Sequence, residues 1–262
     1  MKGRSDMNTK KLFCIGQIAM ICLCLTACQI EYDDVDNIID SASSIYEDFS
    51  EDVIHEIPSI FETDLLHHEA YTNRPWIEIN NNQPYFDNLD LDFNNISSFE
   101  NYSNLDYLDR PGVAFACLST STMPAENEER GNIGMIKPAG WHTVKYNDLI
   151  DGNYLYNRCH LIGWQLCAEN ANPQNLITGT RYLNIDGMLD FENQIADYLK
   201  ANPENHVLYR VTPIYEGKNL ISEGLLLEAQ SCEDDQLVFC VFCYNVQPGI
   251  VIDYRTGESK EA

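Results

Sequence analysis

Six polar side chains within residues 156–192 have the types and the spacing that hydrolysis of a phosphate ester requires. They are Asn157, Arg158, His160, Asn175, Asn184 and Glu192. A histidine can accept a proton near neutral pH without a shifted pKa. Arg158 precedes His160 by two residues, so both side chains would lie on the same side of an extended strand. There the guanidinium group could hold an anion such as phosphate.

Asn184 and Glu192 supply the oxygen atoms that a hard divalent cation prefers. They are eight residues apart, and each four-residue step along a helix shifts the direction by only about 40°, so they share a broad face. Mg²⁺ binds few protein oxygens, keeps several waters and takes up substrate phosphate. A neutral amide ligand leaves most of the cation's charge for that phosphate, which predicts phosphodiester hydrolysis. The alternative interpretation is a buried structural histidine with turn-forming asparagines.

The order of these residues matches a known family pattern. The tetrapeptide 157–160 reads Asn-Arg-Cys-His, and Asn175, Asn184 and Glu192 follow at intervals of nine and eight residues. The pattern resembles that of the DNA/RNA non-specific endonucleases of the ββα-metal type, whose signature is Asp-Arg-Gly-His. Secreted DNases and a membrane-anchored DNA-entry nuclease belong to this family. The likeness covers about residues 85–259 and includes the segments 140–142, 244–247 and 253–257.

The resemblance implies a role for each residue of the pattern. His160 would be the general base that activates water, and Asn184 would be the sole protein ligand of Mg²⁺, with Mn²⁺ as a substitute. Glu192 would orient metal-bound water or assist the leaving group.

Three further residues receive supporting roles from the same resemblance. Asn175 would hold the residues of the site in place without contacting the metal itself. Arg158 would support either the fold or the phosphate. Arg130, in the loop 129–131, resembles the arginine that stabilises the transition state in the family.

Two positions depart from the signature. Asn157 stands where the family has Asp, which keeps an acceptor oxygen near the site but removes the charge. Cys159 stands where the family has Gly. A nucleophilic role for Cys159 is disfavoured because neighbours on a strand point apart. Cys159 therefore fills space or forms a disulfide, for which Cys167 is the candidate partner.

The elements that position these residues follow from periodicity and turn signals. A turn at 110–112 precedes a strand at 113–118, and residues 184–199 have the spacing of an amphipathic helix. Four strand-like segments follow after residue 205. This order predicts an α+β fold with a central, largely antiparallel sheet flanked by helices. The resemblance adds a ββα-metal nuclease core.

The N-terminal residues predict export. Lys10 and Lys11 precede an apolar segment at 12–25, and the sequence Leu-Thr-Ala-Cys ends at Cys28. The apolar segment is short for a membrane-spanning helix, which needs ~20 residues. Residues 1–27 therefore predict a signal peptide, and its end resembles a lipobox, which implies a lipid anchor at Cys28. An ordinary secretion signal is the alternative, and both predict an extracytoplasmic protein.

Acidic residues are concentrated ahead of the motif. The formal net charge is −25, and residues 28–109 carry 20 acidic side chains against one basic side chain. We interpret residues 28–72 as an acidic spacer, partly helical or disordered, and residues 73–262 as the nuclease domain. Neutralisation of phosphate dominates nucleic-acid binding, so we expect weak, salt-sensitive binding with little sequence preference.

These observations predict a Mg²⁺-dependent non-specific endonuclease whose substrates are DNA and RNA, attached to a membrane through Cys28. Two alternatives remain open at this point. One is a surface-binding lipoprotein whose catalysis is weakened by Asn157 and Cys159. The other is a toxin nuclease module whose acidic segment acts as an internal inhibitor. The sequence identifies no protein partner.

Overall fold

The computed structural model describes residues 70–86 and 96–262. The predicted signal peptide, the anchor Cys28 and nearly all of the acidic spacer lie outside the described residues and stay predictions. Within the described part of the chain, no helix is both long and apolar enough to cross a bilayer.

Ten strands and two α-helices organise the described residues. The strands are β1 (Trp76–Glu78), β2 (Phe99–Tyr102), β3 (Ala114–Leu118), β4 (Tyr156–His160), β5 (Leu176–Thr180), β6 (Val207–Ile214), β7 (Gly224–Ser231), β8 (Val238–Tyr244), β9 (Ile250–Ile252) and β10 (Ser259–Glu261). The helices are α1 (Trp164–Cys167) and α2 (Leu189–Ala201), with a π-helical turn at Leu183–Met188 and 3₁₀ turns at Asn80–Asn82 and Pro173–Asn175.

A six-stranded sheet in the order β1-β8-β7-β6-β3-β2 forms the centre of the fold. All five neighbouring pairs in it are antiparallel, which confirms the predicted α+β fold with a largely antiparallel sheet. The strands β6, β7 and β8 are long runs of β-branched, aliphatic and aromatic residues, which favour strands because they pack on a pleated surface. Two separate hairpins, β4–β5 and β9–β10, complete the strand pairing.

Helix α2 covers one face of the central sheet. Phe191 contacts Trp76 of β1 and Phe239 of β8 through ring pairs with centroids 5.1 Å and 4.9 Å apart. The predicted apolar face is confirmed, since Met188, Phe191, Ile195, Tyr198 and Leu199 are all buried. Each such buried side chain stabilises the fold by about 1.5–3 kcal/mol. These contacts pack against the sheet the end of α2 that carries Glu192, directly after the π-helical turn with Asn184.

A buried ion pair lies on the opposite face of the sheet. Glu228 is fully buried and accepts from Arg210 Nε at 2.7 Å, from Arg210 Nη2 at 3.0 Å and from Tyr85 N at 2.9 Å. The rings of Phe86 and Phe115 lie 4.9 Å and 5.7 Å from the guanidinium carbon. The carboxylate therefore joins two strands to the segment that covers them.

Glu228→Gln should lower the free energy of unfolding by about 3–5 kcal/mol, because it removes the fully buried negative charge beside the mostly buried Arg210 guanidinium group. Urea denaturation of the full chain measures this change. Glu233→Gln is the matched control, since Glu233 pairs with His206 at a partly exposed site and should cost less than about 1 kcal/mol. Equal losses in the two variants would contradict the interpretation.

The cysteines of the described residues are free thiols, and all six are buried. The suggested disulfide between Cys159 and Cys167 is therefore wrong. Cys159 Sγ contacts Asn184 and Met188, whereas Cys167 Sγ donates to the carbonyl of Ile162.

Candidate active site

The turn that follows β4 is held by one buried asparagine. Asn175 Oδ1 accepts from the backbone N–H of Ile162 at 2.9 Å, and its Nδ2 donates to the carbonyl of Ile162 at 3.0 Å. Asn175 is fully buried, so both hydrogen bonds are shielded from water. His160 ends β4 two residues before Ile162, so the two hydrogen bonds fix the turn that directly follows His160.

His160 is held through both ring nitrogens. Its Nε2 lies 2.9 Å from the carbonyl oxygen of Asn170, and its Nδ1 lies 2.9 Å from Arg130 Nη2. A carbonyl only accepts and a guanidinium group only donates, so the proton of the neutral ring is on Nε2 and the lone pair is on Nδ1. Burial, together with the charge of Arg130, lowers the pKa of His160 to about 4, while the hydrogen bond to the carbonyl of Asn170 opposes the shift.

Two side chains hold the backbone directly before Asn184. Thr180 Oγ1 accepts from the backbone N–H of Leu183 at 2.9 Å, and Gln247 Oε1 accepts from that of Tyr182 at 3.1 Å. These bonds satisfy donors at the start of a helix, where no backbone acceptor is available. The first turn, Leu183–Met188, is π-helical before regular α-helix begins. Such wide turns are frequent at functional sites, and this one carries Asn184.

Four of the predicted site residues line one cavity of about 240 Å³. They are Arg130, His160, Asn184 and Glu192, and the remaining lining residues are Gly163, Trp164, Gln165, Met188 and Leu189. His160 of β4 and Asn184 of the π-helical turn therefore line the same cavity. Arg158, Asn157 and Asn175 do not line this cavity.

Glu192 reaches the cavity from α2 and lies against Gly163. The backbone N–H of Gly163 donates to the carboxylate, and a Cβ atom added at Gly163 would lie 2.6 Å from both carboxylate oxygens. Burial raises the pKa of Glu192 to about 8, against the opposing effects of Gly163, Arg130 and Gln165. Only glycine leaves room for the carboxylate at this position.

Gly163→Ala should leave the protein folded but reduce nuclease activity on the order of a hundredfold, because a misplacement of about 1 Å in a catalytic group has this effect. The added methyl group meets the mobile end of Glu192 rather than backbone, so the melting temperature should change little. A double-mutant cycle with Glu192→Ala supplies the control. In the Glu192→Ala background the change at Gly163 should have almost no further effect, and full additivity would sink this account.

Arg158 supports the loop before β4 instead of facing the cavity. Its Nε and Nη2 donate to the carbonyls of Ile136 and Gly134. Its guanidinium carbon lies 4.0 Å from the ring centroid of Trp141. Of the two roles left open for Arg158, these contacts favour support of the fold.

The two departures from the family signature have different surroundings. The Nδ2 atom of Asn157 is buried and has no hydrogen-bond partner among the described residues. An aspartate at this position only accepts hydrogen bonds and would leave no donor unsatisfied there. Cys159 is fully buried and points into the core. Burial and the charge of Glu192 keep the pKa of the Cys159 thiol well above its ordinary value, and Arg130 opposes this shift. Cys159 is therefore a thiol and not a nucleophile.

The donor set around the cavity fits a hydrated divalent cation. Asn184 offers an amide oxygen and Glu192 offers carboxyl oxygens, and hard cations prefer oxygen ligands. Within the part of the chain that the structure describes, no cluster of three or more His, Cys, Asp or Glu side chains could enclose a metal ion. A cation held here would keep most of its waters.

The sequence did not reveal the groups that position the site residues, which are a backbone carbonyl, a glycine and two hydrogen-bonding side chains. The carbonyl of Asn170, which fixes the His160 tautomer, has no side-chain signal. Gly163 and the pair Thr180 and Gln247 were also missed. Thr180 precedes the helix by a few residues and is a typical capping residue, so that signal was available.

A hairpin that carries a histidine, followed by a helix that carries an asparagine and a glutamate around one cavity, is the arrangement of a ββα-metal nuclease. The model of the DNA/RNA non-specific endonuclease family matches residues 93–233, which is more than half of the chain. The chain therefore belongs to the DNA/RNA non-specific endonuclease family.

Individual relatives agree with this assignment. A deoxyribonuclease of Streptococcus dysgalactiae subsp. equisimilis is 29% identical over 117 residues, which is 43% of this chain and 34% of the relative. The match thus spans about a third of the length of that relative.

Solved structures cover more of the fold. NucA from Streptococcus agalactiae with magnesium bound has a TM-score of 0.63 at 28% identity, over 74% of this chain and 89% of NucA. The metal-free form has a TM-score of 0.64 at 28% identity, over 81% of this chain and 99% of NucA. The Sda1 nuclease with bound zinc has a TM-score of 0.55 at 26% identity, over 63% of this chain and 82% of Sda1.

Proposed function

We propose that the protein is a divalent-metal-dependent endonuclease that hydrolyses phosphodiester bonds of DNA and RNA without strong sequence preference. The observation that carries the proposal is the convergence of Arg130, His160, Asn184 and Glu192 on one cavity in a member of this family. A binding protein would have no need of an unprotonated imidazole beside an arginine and a carboxyl group. We therefore favour catalysis over the binding and toxin alternatives.

Asn184 would hold the cation through its amide oxygen, and Glu192 would orient a water of its hydration shell. Mg²⁺ is the proposed cation, supported by the magnesium bound in NucA; zinc is bound in Sda1, and Mn²⁺ should substitute. Such an ion neutralises charge that develops on a phosphate during hydrolysis.

His160 would accept the proton of the attacking water at Nδ1. The bond from Nε2 to the carbonyl of Asn170 keeps the other proton in place, so the ring presents its lone pair towards Arg130 and the cavity. Neutral imidazole is the form that a general base requires, and the lowered pKa of His160 favours that form at neutral pH.

Arg130 would move from His160 to the substrate. In this structure its Nη2 donates to Nδ1, where the attacking water must bind. The anionic oxygens of a phosphodiester accept stronger hydrogen bonds than a neutral imidazole. Phosphate binding would thus draw the guanidinium group away, uncover the base and place a positive charge beside the phosphate.

The test uses the full chain with supercoiled plasmid and with single-stranded RNA, each with Mg²⁺ and with EDTA. We expect open-circular and then fragmented plasmid, and degraded RNA, only with Mg²⁺. An intact plasmid in the Mg²⁺ reaction would overturn the proposed function. Tight plasmid binding in EDTA would support the binding alternative instead.

His160 should titrate near pH 4 in the metal-free protein, well below its ordinary pKa of about 6.5. Because the pKa is lowered, the ring stays neutral as the pH falls from 7 to about 5 and becomes protonated only below that. NMR titration of the imidazole, assigned by comparison with His160→Ala, measures this midpoint. Arg130→Gln should raise the midpoint, because the arginine charge lowers it. A midpoint near pH 6.5 in the unmodified protein would refute the burial argument.

We also propose that the protein acts outside the cytoplasm, attached to a membrane through acylated Cys28. The support is the basic and apolar pattern before Cys28. Mass spectrometry of the mature N-terminus would identify a diacylglyceryl cysteine. An unmodified N-terminus beyond residue 28 would indicate simple secretion.

A further inference from the structure

The thiol of Cys159 contacts the amide group that the proposed function assigns to the metal. Its Sγ lies 3.1 Å from Asn184 Oδ1 and 3.4 Å from Met188 Sδ. Cys159 and His160 are neighbours on β4 and point to opposite sides, so His160 lines the cavity while Cys159 is fully buried behind it. Strand β4 therefore places one side chain, His160, in the cavity wall and the next one, Cys159, behind that wall.

A glycine on the neighbouring strand makes room for this thiol. A Cβ atom added at Gly179 of β5 would lie 2.6 Å from Cys159 Cβ and 3.2 Å from its Sγ. The paired strands thus leave a space that the cysteine side chain fills. Since core side chains are packed at high density, the thiol has little freedom to turn away from Asn184.

The contact has a defined chemical direction. An amide oxygen has two lone pairs and only accepts, so the S–H group donates to Oδ1. One lone pair then faces the thiol, and the second remains for a further partner. Cys159 is absent from the cavity wall that Asn184 helps to form, so the thiol binds the amide from behind and does not itself reach a cation in the cavity.

We propose that Cys159 is a positioning residue for Asn184: the hydrogen bond from its thiol to Oδ1 holds the amide so that its oxygen, and not its NH₂ group, serves the divalent cation. This inference rests on the proposed function. Partners that orient a metal ligand in this way commonly change metal affinity by about 10–100-fold when removed.

The experiment measures Mn²⁺ binding by the full-length protein from the electron paramagnetic resonance signal of free Mn²⁺, without substrate. Cys159→Ala should raise the Kd for Mn²⁺ by about tenfold. Cys159→Ser keeps a donor and should stay within about threefold of the unmodified protein. Cys240→Ala is the matched control, because Cys240 is equally buried but lies in a different strand, opposite Glu228, and should leave the Kd unchanged. Melting temperatures check that each variant is folded.

The outcomes separate this inference from the proposed function. An unchanged Kd in Cys159→Ala, with Mn²⁺ binding still lost in Asn184→Ala, would overturn the inference and leave the proposed metal site intact. Tighter binding in Cys159→Ala would mean that the thiol competes with the cation, which also overturns it. A Kd in Cys159→Ser as weak as in Cys159→Ala would assign the effect to packing. If the unmodified protein binds no Mn²⁺, both the metal site and the inference fail.

Discussion

Replacement of His160 by alanine should lower kcat/KM for plasmid cleavage by about two to four orders of magnitude, the usual contribution of a general base. The ring is buried, its Nε2 proton is held by the carbonyl of Asn170, and its Nδ1 lies next to Arg130 at the cavity. No other described histidine lines the cavity, so no second imidazole is in place to accept the proton. The loss should appear in kcat, measured from initial rates at saturating Mg²⁺.

Two comparisons distinguish a base from a structural histidine. His142→Ala is the matched control, because His142 Nε2 lies 3.0 Å from the carbonyl of Thr256 at an exposed position and should retain activity within about twofold. Added imidazole should partly restore His160→Ala, since a free base can enter the space left by the ring. If His160→Ala kept a tenth or more of the activity, His160 would not be the base.

Replacement of Asn184 by alanine should abolish Mn²⁺ binding and reduce Mg²⁺-dependent cleavage on the order of a hundred- to a thousandfold, as expected when a main source of charge stabilisation is removed. Asn184 lines the cavity together with His160 and Glu192, and the described residues include no acidic or histidine cluster that could hold the ion instead. Calorimetric metal titration and plasmid cleavage measure the two effects.

Asn184→Asp tests why a neutral ligand is used. The added carboxylate should tighten Mn²⁺ binding but lower kcat, because it neutralises charge that would otherwise act on the phosphate. Ile185→Ala is the control, since Ile185 belongs to the same π-helical turn and its side chain is exposed. Full activity of Asn184→Ala at millimolar Mg²⁺ would place the metal elsewhere.

The residues proposed to react were visible in the sequence because they lie in consecutive elements of the chain. His160, Asn184 and Glu192 lie within a hairpin and the helix that follows it, and their separations along the chain limit how far apart they can be in space. The central strands and the apolar face of α2 were predicted for a similar reason. Burial of one face imposes a period of two on a strand and about 3.6 on a helix, and this period can be read without a structure.

The orientation of the groups proposed to react depends on tertiary contacts. The tautomer of His160 depends on a backbone carbonyl at Asn170, and every residue except proline carries the same backbone groups. The room for the Glu192 carboxylate depends on Gly163, and the roles of Arg158 and Cys159 depend on which groups lie opposite them. Residue type indicates what a side chain can donate or accept, but its direction follows from the packing of β4, β5 and α2 against the sheet. The sequence by itself therefore determined the proposed chemistry, and the tertiary structure decided which atom of each group would perform it.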